Sequence, residues 1–517
     1  MLPEGKYNYL PMSQRFDTII VGAGAAGCIL ARGLADAGQG EVLLLESGTD
    51  GQEPRFVESG ISNLFQSWFT EADWQLKTTP QVGLGGREVL INQGKVLGGG
   101  TAINAMMYVR GSRFNFEEWY QTTGGDSNWS PDQFQAMFKE LEHCLGDYGE
   151  DVLRGKNGRM SINHPPRPSA ASGSFLEACQ ALGYQRADFN GSQQNDRCDY
   201  MQLIIDAEAK RSSTANAYLR GVLPANLTVR CNSNVQSLLI ENGRCLGVQL
   251  SSGETLETKH VILSAGALQS PGLLMKSGVG PKDSLESAGI PVKVDRPMVG
   301  RNLSDHMRVM VAYRSEADPG ATDFLCEAAL FTRSGLNAGL ETDLQINFSA
   351  GVDGFVAEEF LPEGGLEHSV IFVPVLGRPR SRGSIRPVRS DEGVTFDINP
   401  AYLEDPTDLQ VYQKGLEIVR QIASSDAMKP YCAEELCPAD HFADADYLKK
   451  YATTIWHPVG TCAVGASEDA VCRPDFSVRG VEQLSVVDGS VLPSLTSGNP
   501  QGAIFAAAST AVKQFSL

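Results

Sequence analysis

The sequence predicts an α/β fold built on a parallel sheet, and three observations carry that prediction. Residues 16–21 (FDTIIV) form a short β-branched apolar run that stops at glycines, residues 25–37 have helical composition and period, and residues 41–45 read as the next strand. Strand, glycine turn, helix and strand in this order open a parallel sheet with a right-handed crossover. Later segments repeat the pattern. Residues 261–266 read as a strand feeding a turn, with the following helix ending near Gly278. Residues 484–487 read as a strand, 488–498 as a turn-rich connection and 500–515 as a terminal helix. A second glycine-rich stretch, 94–100 (GKVLGGG), runs into residues 101–109, where Thr101 is expected to open a helix. Residues 131–204 and 308–446 are mixed in pattern, and a second, substrate-facing domain is expected there.

The chain has 517 residues, enough for about two to four domains at roughly 150 residues each. Its formal net charge of -19 repels nucleic acid and anionic lipid, so a small-molecule partner is expected. Eleven cysteines without a CxxC pair or a Cys/His cluster at zinc spacing support neither a disulfide framework nor a metal site. Residues 1–15 are polar, with two prolines, and do not read as a signal peptide. A reducing, cytoplasmic location is the corresponding expectation. The apolar runs are of strand length, so no membrane span is expected.

Gly22, Gly24 and Gly27, with Ala25 and Ala26 between them (GAGAAG), form G-x-G-x-x-G directly after a strand and at the opening of a helix. The first glycine permits the tight turn, the second lets backbone approach a pyrophosphate, and the third lets helix and strand pack closely. Free N–H groups and the positive helix end then hold the anion. Glu46, nineteen residues past Gly27 at the end of the second strand, is placed to accept hydrogen bonds from ribose hydroxyls. This Rossmann-like fingerprint serves FAD and NAD equally.

Other segments separate the two. Residues 94–117 (GKVLGGGTAINAMMYVRGSRFNFE) resemble the first signature of the glucose-methanol-choline (GMC) oxidoreductase family, and residues 266–280 (GALQSPGLLMKSGVG) resemble the second. The resemblance continues through VGRNLSDH at 299–306, SRG at 381–383, HPVGT at 457–461 and VVDGSVLP at 486–493. It implies FAD, a flavin-binding domain of discontinuous segments (15–130, 205–307 and 447–517), and a substrate domain (131–204 and 308–446) on an antiparallel sheet. By position it places Gly99, Asn104 and Ala105 along the flavin and its phosphates, Asp488 and Gly489 at the pyrophosphate and ribityl chain, and Val235 at the adenine. The physical reason is length: one βαβ unit holds only the adenosine half, and the turn ending at Thr101 supplies a second glycine-rich helix start for the isoalloxazine end. The competing use of these glycines is simply to end strands and cap helices. Relatives that attach flavin covalently do so through a histidine at the position of Ile103, so non-covalent, dissociable FAD is expected.

Oxidising an alcohol requires a base for the hydroxyl proton and an acceptor for the hydride, and histidine suits the first task near neutrality. Of seven histidines, His143, His164, His260, His368 and His441 lack motif context and read as surface or hydrogen-bonding residues. His306 lies in a family motif and reads as structural. His457 follows an apolar run ending in Trp456, precedes Pro458, and falls on the family's base position. The resemblance places the second catalytic position on Asn499, which would hydrogen-bond the substrate oxygen. Asn499 before Pro500 also reads as a helix N-cap with proline at the first helical position. That helix start would bring Pro500 and a positive end to the flavin pyrimidine ring, with Gly498, Gln501 and Gly502 permitting close approach.

The resulting expectation is FAD-dependent oxidation of a small, primary alcohol to the aldehyde, with O2 or a quinone-like acceptor taking the electrons. A hydroxynitrile lyase that retains FAD without redox turnover, and a non-redox flavoprotein, remain open. Phe65, Trp68, Phe69 and Trp74 fit either an active-site lid or ordinary core. The basic run 378–386 (RPRSRGSIR) reads as a structural turn.

Overall fold

The computed structural model describes residues 15–516 apart from 149–151, 337–338, 340–341, 352–356, 361–364, 366–367, 392 and 439–441. The segments 1–14 and His441 therefore lie outside the described residues.

The strand Phe16–Val21 lies at the centre of a seven-stranded sheet. Val42–Leu45 and then Leu227–Arg230 pair parallel on one side of it, and Thr255–Leu263 pairs parallel on the other. Leu484–Val486 joins parallel to the end of Thr255–Leu263, while the antiparallel pair Val235–Glu241 and Arg244–Leu250 extends its start. Val42–Leu45 is buried on both faces, which explains its continuous apolar run (VLLL) in place of an alternating pattern. The helix Gly27–Asp36 covers one face and packs on the terminal helix Gln501–Phe515. A Cβ on Gly33 would lie 2.7 Å from a Val512 methyl, so that contact requires glycine. Alanines 503, 506, 507, 508 and 511 keep the buried side of the terminal helix thin.

A second, nine-stranded sheet is antiparallel except at one edge pair. Its centre is Ala328–Thr332, Leu344–Ala350 and Ser369–Leu376, flanked by Val311–Arg314 and Glu434–Cys437. In Leu344–Ala350 the period of two divides the faces: Ile346 and Phe348 enter a core shared with the helix Pro406–Ala423, while Asn347 and Ser349 face a cavity. The short strands Met307–Arg308 and Thr453–Thr454 pair with each other at the sheet margin and carry the chain into that cavity. The two-sheet α/β architecture agrees with the fold class read from the sequence.

The helix expected from Thr101 is a single turn, Gly100–Ile103. Asn104 ends it in an extended conformation, and its side-chain oxygen accepts the Met106 N–H at 3.0 Å. The 378–386 run is a turn only as far as Arg382, tied down by Asp408, which accepts the Arg380 and Ser381 amides at 2.6 and 2.9 Å; from Gly383 it is the strand Gly383–Ser390. All eleven cysteines are unpaired, and no described helix is long and apolar enough to cross a membrane.

Candidate active site

One cavity of about 380 Å³ runs from the end of the parallel sheet to the face of the antiparallel sheet. Its parallel-sheet end is shaped by glycine. Gly22 has φ +99°, and a Cβ there would lie 2.5 Å from the Ser264 carbonyl oxygen. Gly99 has φ +51°, and its Cβ would lie 2.7 Å from the Cα of Gly24, so the two glycine turns approach each other across the cavity wall. Gly24, Ala25 and Ala26 line the space, whereas Gly27 does not: a Cβ there would meet the Gly22 oxygen at 1.9 Å, so its task is packing. Glu46 lines the cavity beside this turn and accepts the Ala23 and Gly48 amides at 3.0 and 2.9 Å, leaving lone pairs for a ligand hydroxyl. Burial pushes its carboxyl up to about 7.

Thr101, Asn104, Ala105 and Val235 also line the cavity. The Thr101 hydroxyl is committed to the Gly98 oxygen at 2.6 Å and to Thr214 at 3.0 Å. Asn104 is held by Arg211, which donates to its main-chain and side-chain oxygens at 2.7 and 2.9 Å, and Asn104 in turn donates to Gln501. Asp488 accepts from Gly266 N–H and Ser270 hydroxyl at 2.8 and 2.6 Å and thereby fixes Gly489 on the wall. The side-chain nitrogen of Gln501 and both amide atoms of Asn92 are buried without a hydrogen-bond partner in the protein, and both residues line the cavity. Buried polar atoms are almost always satisfied. Narrow glycine turns, a cavity-lining carboxylate and orphaned amides are the features a dinucleotide such as FAD would complete.

At the other end stand His457 and Asn499. Trp456, in the left-handed region at φ 65°, turns the chain ahead of His457; its N–H is held by the Thr454 hydroxyl at 2.7 Å and its ring meets Trp68 edge-on at 4.7 Å. Asp305 fixes the next peptide, accepting His457 N–H at 2.7 Å and the Thr454 and Tyr402 hydroxyls at 2.5 Å each. Burial pushes the Asp305 carboxyl up to about 6.

The hydrogen-bond network assigns the tautomer of His457. His306 Nε2 faces two acceptors, the Gly377 and Thr496 carbonyl oxygens at 2.9 and 3.1 Å, so it carries the proton. Burial lowers His306 to about 4, so the ring is neutral at pH 7 and its Nδ1 is an acceptor. His457 Nδ1, 3.0 Å away, must then donate. Burial, and after it the neighbouring His306, hold His457 well below its ordinary value, which leaves its Nε2 unprotonated and an acceptor for the Asn499 amide. The Asn499 amide nitrogen lies 3.2 Å from that Nε2 and its oxygen accepts from Gln345 at 3.2 Å, so Gln345 sets which way the amide points. Asn499 does not cap the terminal helix; its side-chain bonds run to Gln345 and His457. Pro500 has helical dihedrals (φ -75°, ψ -5°) and lines the cavity at that helix's start.

His306 reads from the sequence as structural, yet it touches His457. Its place in the VGRNLSDH segment was the signal available; its partner was not, because the two rings are 151 residues apart. The cavity is lined by none of His143, His164, His260 and His368. Trp68 and Trp74 line the cavity, whereas Phe65 and Phe69 are exposed beside a shallower pocket that opens outward.

The family model described as GMC oxidoreductase matches residues 16–308 with its N-terminal part and 379–508 with its C-terminal part. The oxygen-dependent choline dehydrogenase of Photobacterium profundum is 32% identical, over 94% of this chain and 90% of its own. The pyridoxine 4-oxidase of Microbacterium luteolum is 32% identical, over 96% of this chain and 98% of its own. The crystal structure of pyridoxine 4-oxidase from Mesorbium loti superposes with a TM-score of 0.89 at 29% identity, covering 97% of this chain and 99% of that one. The chain belongs to the GMC oxidoreductase family, and it is an FAD-dependent oxidoreductase acting on CH–OH groups.

Proposed function

We propose that this enzyme oxidises a small primary alcohol to the aldehyde, with His457 Nε2 taking the hydroxyl proton. The observation that carries this reading is the lone pair on His457 Nε2, fixed through Nδ1 by His306 and presented to the cavity beside Asn499. When bound, FAD supplies the hydride acceptor, at N5 of its ring system. Asn499 Nδ2 donates to the substrate oxygen as charge develops there, which stabilises the transition state without removing a proton.

The groups that would hold FAD are the turn Gly22, Gly24, Ala25 and Ala26 at the pyrophosphate, Glu46 at the ribose, and Val235 at the adenine. Gly99, Thr101, Asn104 and Ala105, together with Asp488, Gly489 and Pro500, would follow the rest of the molecule. Segments 15–130, 205–307 and 447–517 then form the flavin-binding domain, and 131–204 with 308–446 the substrate domain. Ile103 offers no side chain for covalent attachment, so FAD is dissociable. Molecular oxygen is the acceptor that fits two relatives, an oxygen-dependent choline dehydrogenase and a pyridoxine 4-oxidase.

The test is anaerobic mixing of the holoenzyme with a series of small primary alcohols. Bleaching of the flavin absorbance with release of aldehyde is expected. Release of cyanide from a cyanohydrin, with the absorbance unchanged and no alcohol active, would replace this reading with a lyase.

A further inference from the structure

Behind the cavity wall lies a buried cation, Arg211, which is 2% exposed. It touches the wall through one nitrogen: Nη1 donates to the Thr101 and Asn104 main-chain oxygens at 3.2 and 2.7 Å and to Asn104 Oδ1 at 2.9 Å. Nε and Nη2 have no hydrogen-bond partner among the described residues. Burial lowers its pKa to about 9, so the guanidinium stays charged at neutral pH. A buried guanidinium with unmet donors destabilises the fold, so the role of Arg211 lies in what Nη1 holds.

Nη1 is the head of a chain of amides. Asn104 Oδ1 faces two donors, Arg211 Nη1 and the Met106 N–H at 3.0 Å, so the other end of that side chain is Nδ2. Nδ2 donates to Gln501, whose facing atom is therefore Oε1. That leaves Gln501 Nε2 at the far end, buried and without a partner among the described residues. Gln501 lines the cavity two residues beyond Asn499, so the acceptor that completes Nε2 belongs to a molecule bound there. Each bond of such a chain polarises the next in a low-dielectric interior, and a cation at its head makes the last N–H a stronger donor. A flavin gains electron density on its ring nitrogens and carbonyl oxygens when it is reduced, so a donor to one of them favours the reduced form.

We propose that Arg211 is a positioning residue: it fixes the Asn104 and Gln501 amides so that Gln501 Nε2 donates to an acceptor atom of the flavin ring, which raises the flavin's reduction potential. This role rests on FAD lying along Asn104, which the flavin content of a Gly99→Ala variant tests separately, and it is independent of His457 and of the alcohol oxidised. The measurement is the two-electron reduction potential of the holoenzyme, equilibrated anaerobically with reference dyes and no alcohol. Gln501→Met keeps the length and loses the donor; it is expected to cut the preference for reduced flavin about tenfold, which lowers the potential by about 30 mV for a two-electron couple. Gln501→Glu, which puts an acceptor in the donor's place, is expected to lower it further. Arg211→Lys keeps the charge but not the fork, so it is expected to lower the potential by less than Gln501→Met and to add nothing in the Gln501→Met background, because its effect passes through that amide. A merely structural role would reduce flavin content and leave the potential of the retained flavin where it was. An unmoved potential in Gln501→Met with normal flavin content would overturn the assignment, even if Arg211→Lys does not fold. Additive shifts from the two substitutions would overturn it as well.

Discussion

His457 can serve as the proposed base only in the tautomer that leaves Nε2 unprotonated, and that choice is made by a second ring rather than by His457 itself. His306 accepts the Nδ1 proton at 3.0 Å because its own proton is held between two carbonyl oxygens. Removing a group that orients a reacting side chain typically costs about 10- to 100-fold, so His306→Ala is expected to slow flavin reduction by that amount with FAD still bound. The pH dependence separates this role from a merely structural one. In the proposed role the neutral form of His457 is the active one, so activity should be lost as pH falls through its pKa. Because burial and His306 hold that pKa below 6.5, the reduction rate of the unmodified enzyme should stay level down to pH 6.5 and fall only beneath it. In His306→Ala one cause of the depression is gone, so the acid limb moves upward. A rapid-reaction pH profile checks both, and an unmoved limb at an unchanged rate would contradict the assignment.

At the scale of elements, the site depends on turns that only glycine permits. Gly99 at φ +51° packs against Gly24, and an added methyl would lie 2.7 Å from the Gly24 Cα. Gly99→Ala must part the two turns, so the variant should purify with markedly less flavin per protein than the unmodified chain; full occupancy after dialysis would refute this account of the turn. These turns were legible because their chemistry is local: strand, glycines and helix start lie within a dozen residues of one another. The helix at Thr101 was legible in position but not in length, since it ends where Asn104 turns its side chain to the Met106 amide and Arg211 binds it from far along the chain. Asn499 shows the same limit. Its sequence neighbours favour a helix cap, and the competing partners, Gln345 and His457, enter only through tertiary structure. The order of strands in the antiparallel sheet was hidden for that reason too, since Arg197–Tyr200 pairs with Ala328–Thr332 across a long stretch of chain.

The cavity belongs to the whole molecule: its walls come from the first glycine turn, the 99–107 segment, Val235, the antiparallel sheet and the last helix. A ligand that binds only this assembled state stabilises it by about 2.7 kcal/mol at a concentration 100 times its Kd. Stripping FAD should therefore lower the thermal midpoint, and adding it back should raise the midpoint with concentration; a midpoint indifferent to FAD would mean that the cavity does not hold it. The two motif-rich ends of the chain announced this assembly in the sequence. The central claim is that an alcohol held in this cavity gives its proton to His457 as its carbon gives up hydride. Anaerobic reduction of His457→Ala by a good alcohol substrate tests it most directly. The account predicts a variant with normal FAD content whose flavin is reduced about 10² to 10⁴ times more slowly; reduction at near the unmodified rate would contradict it.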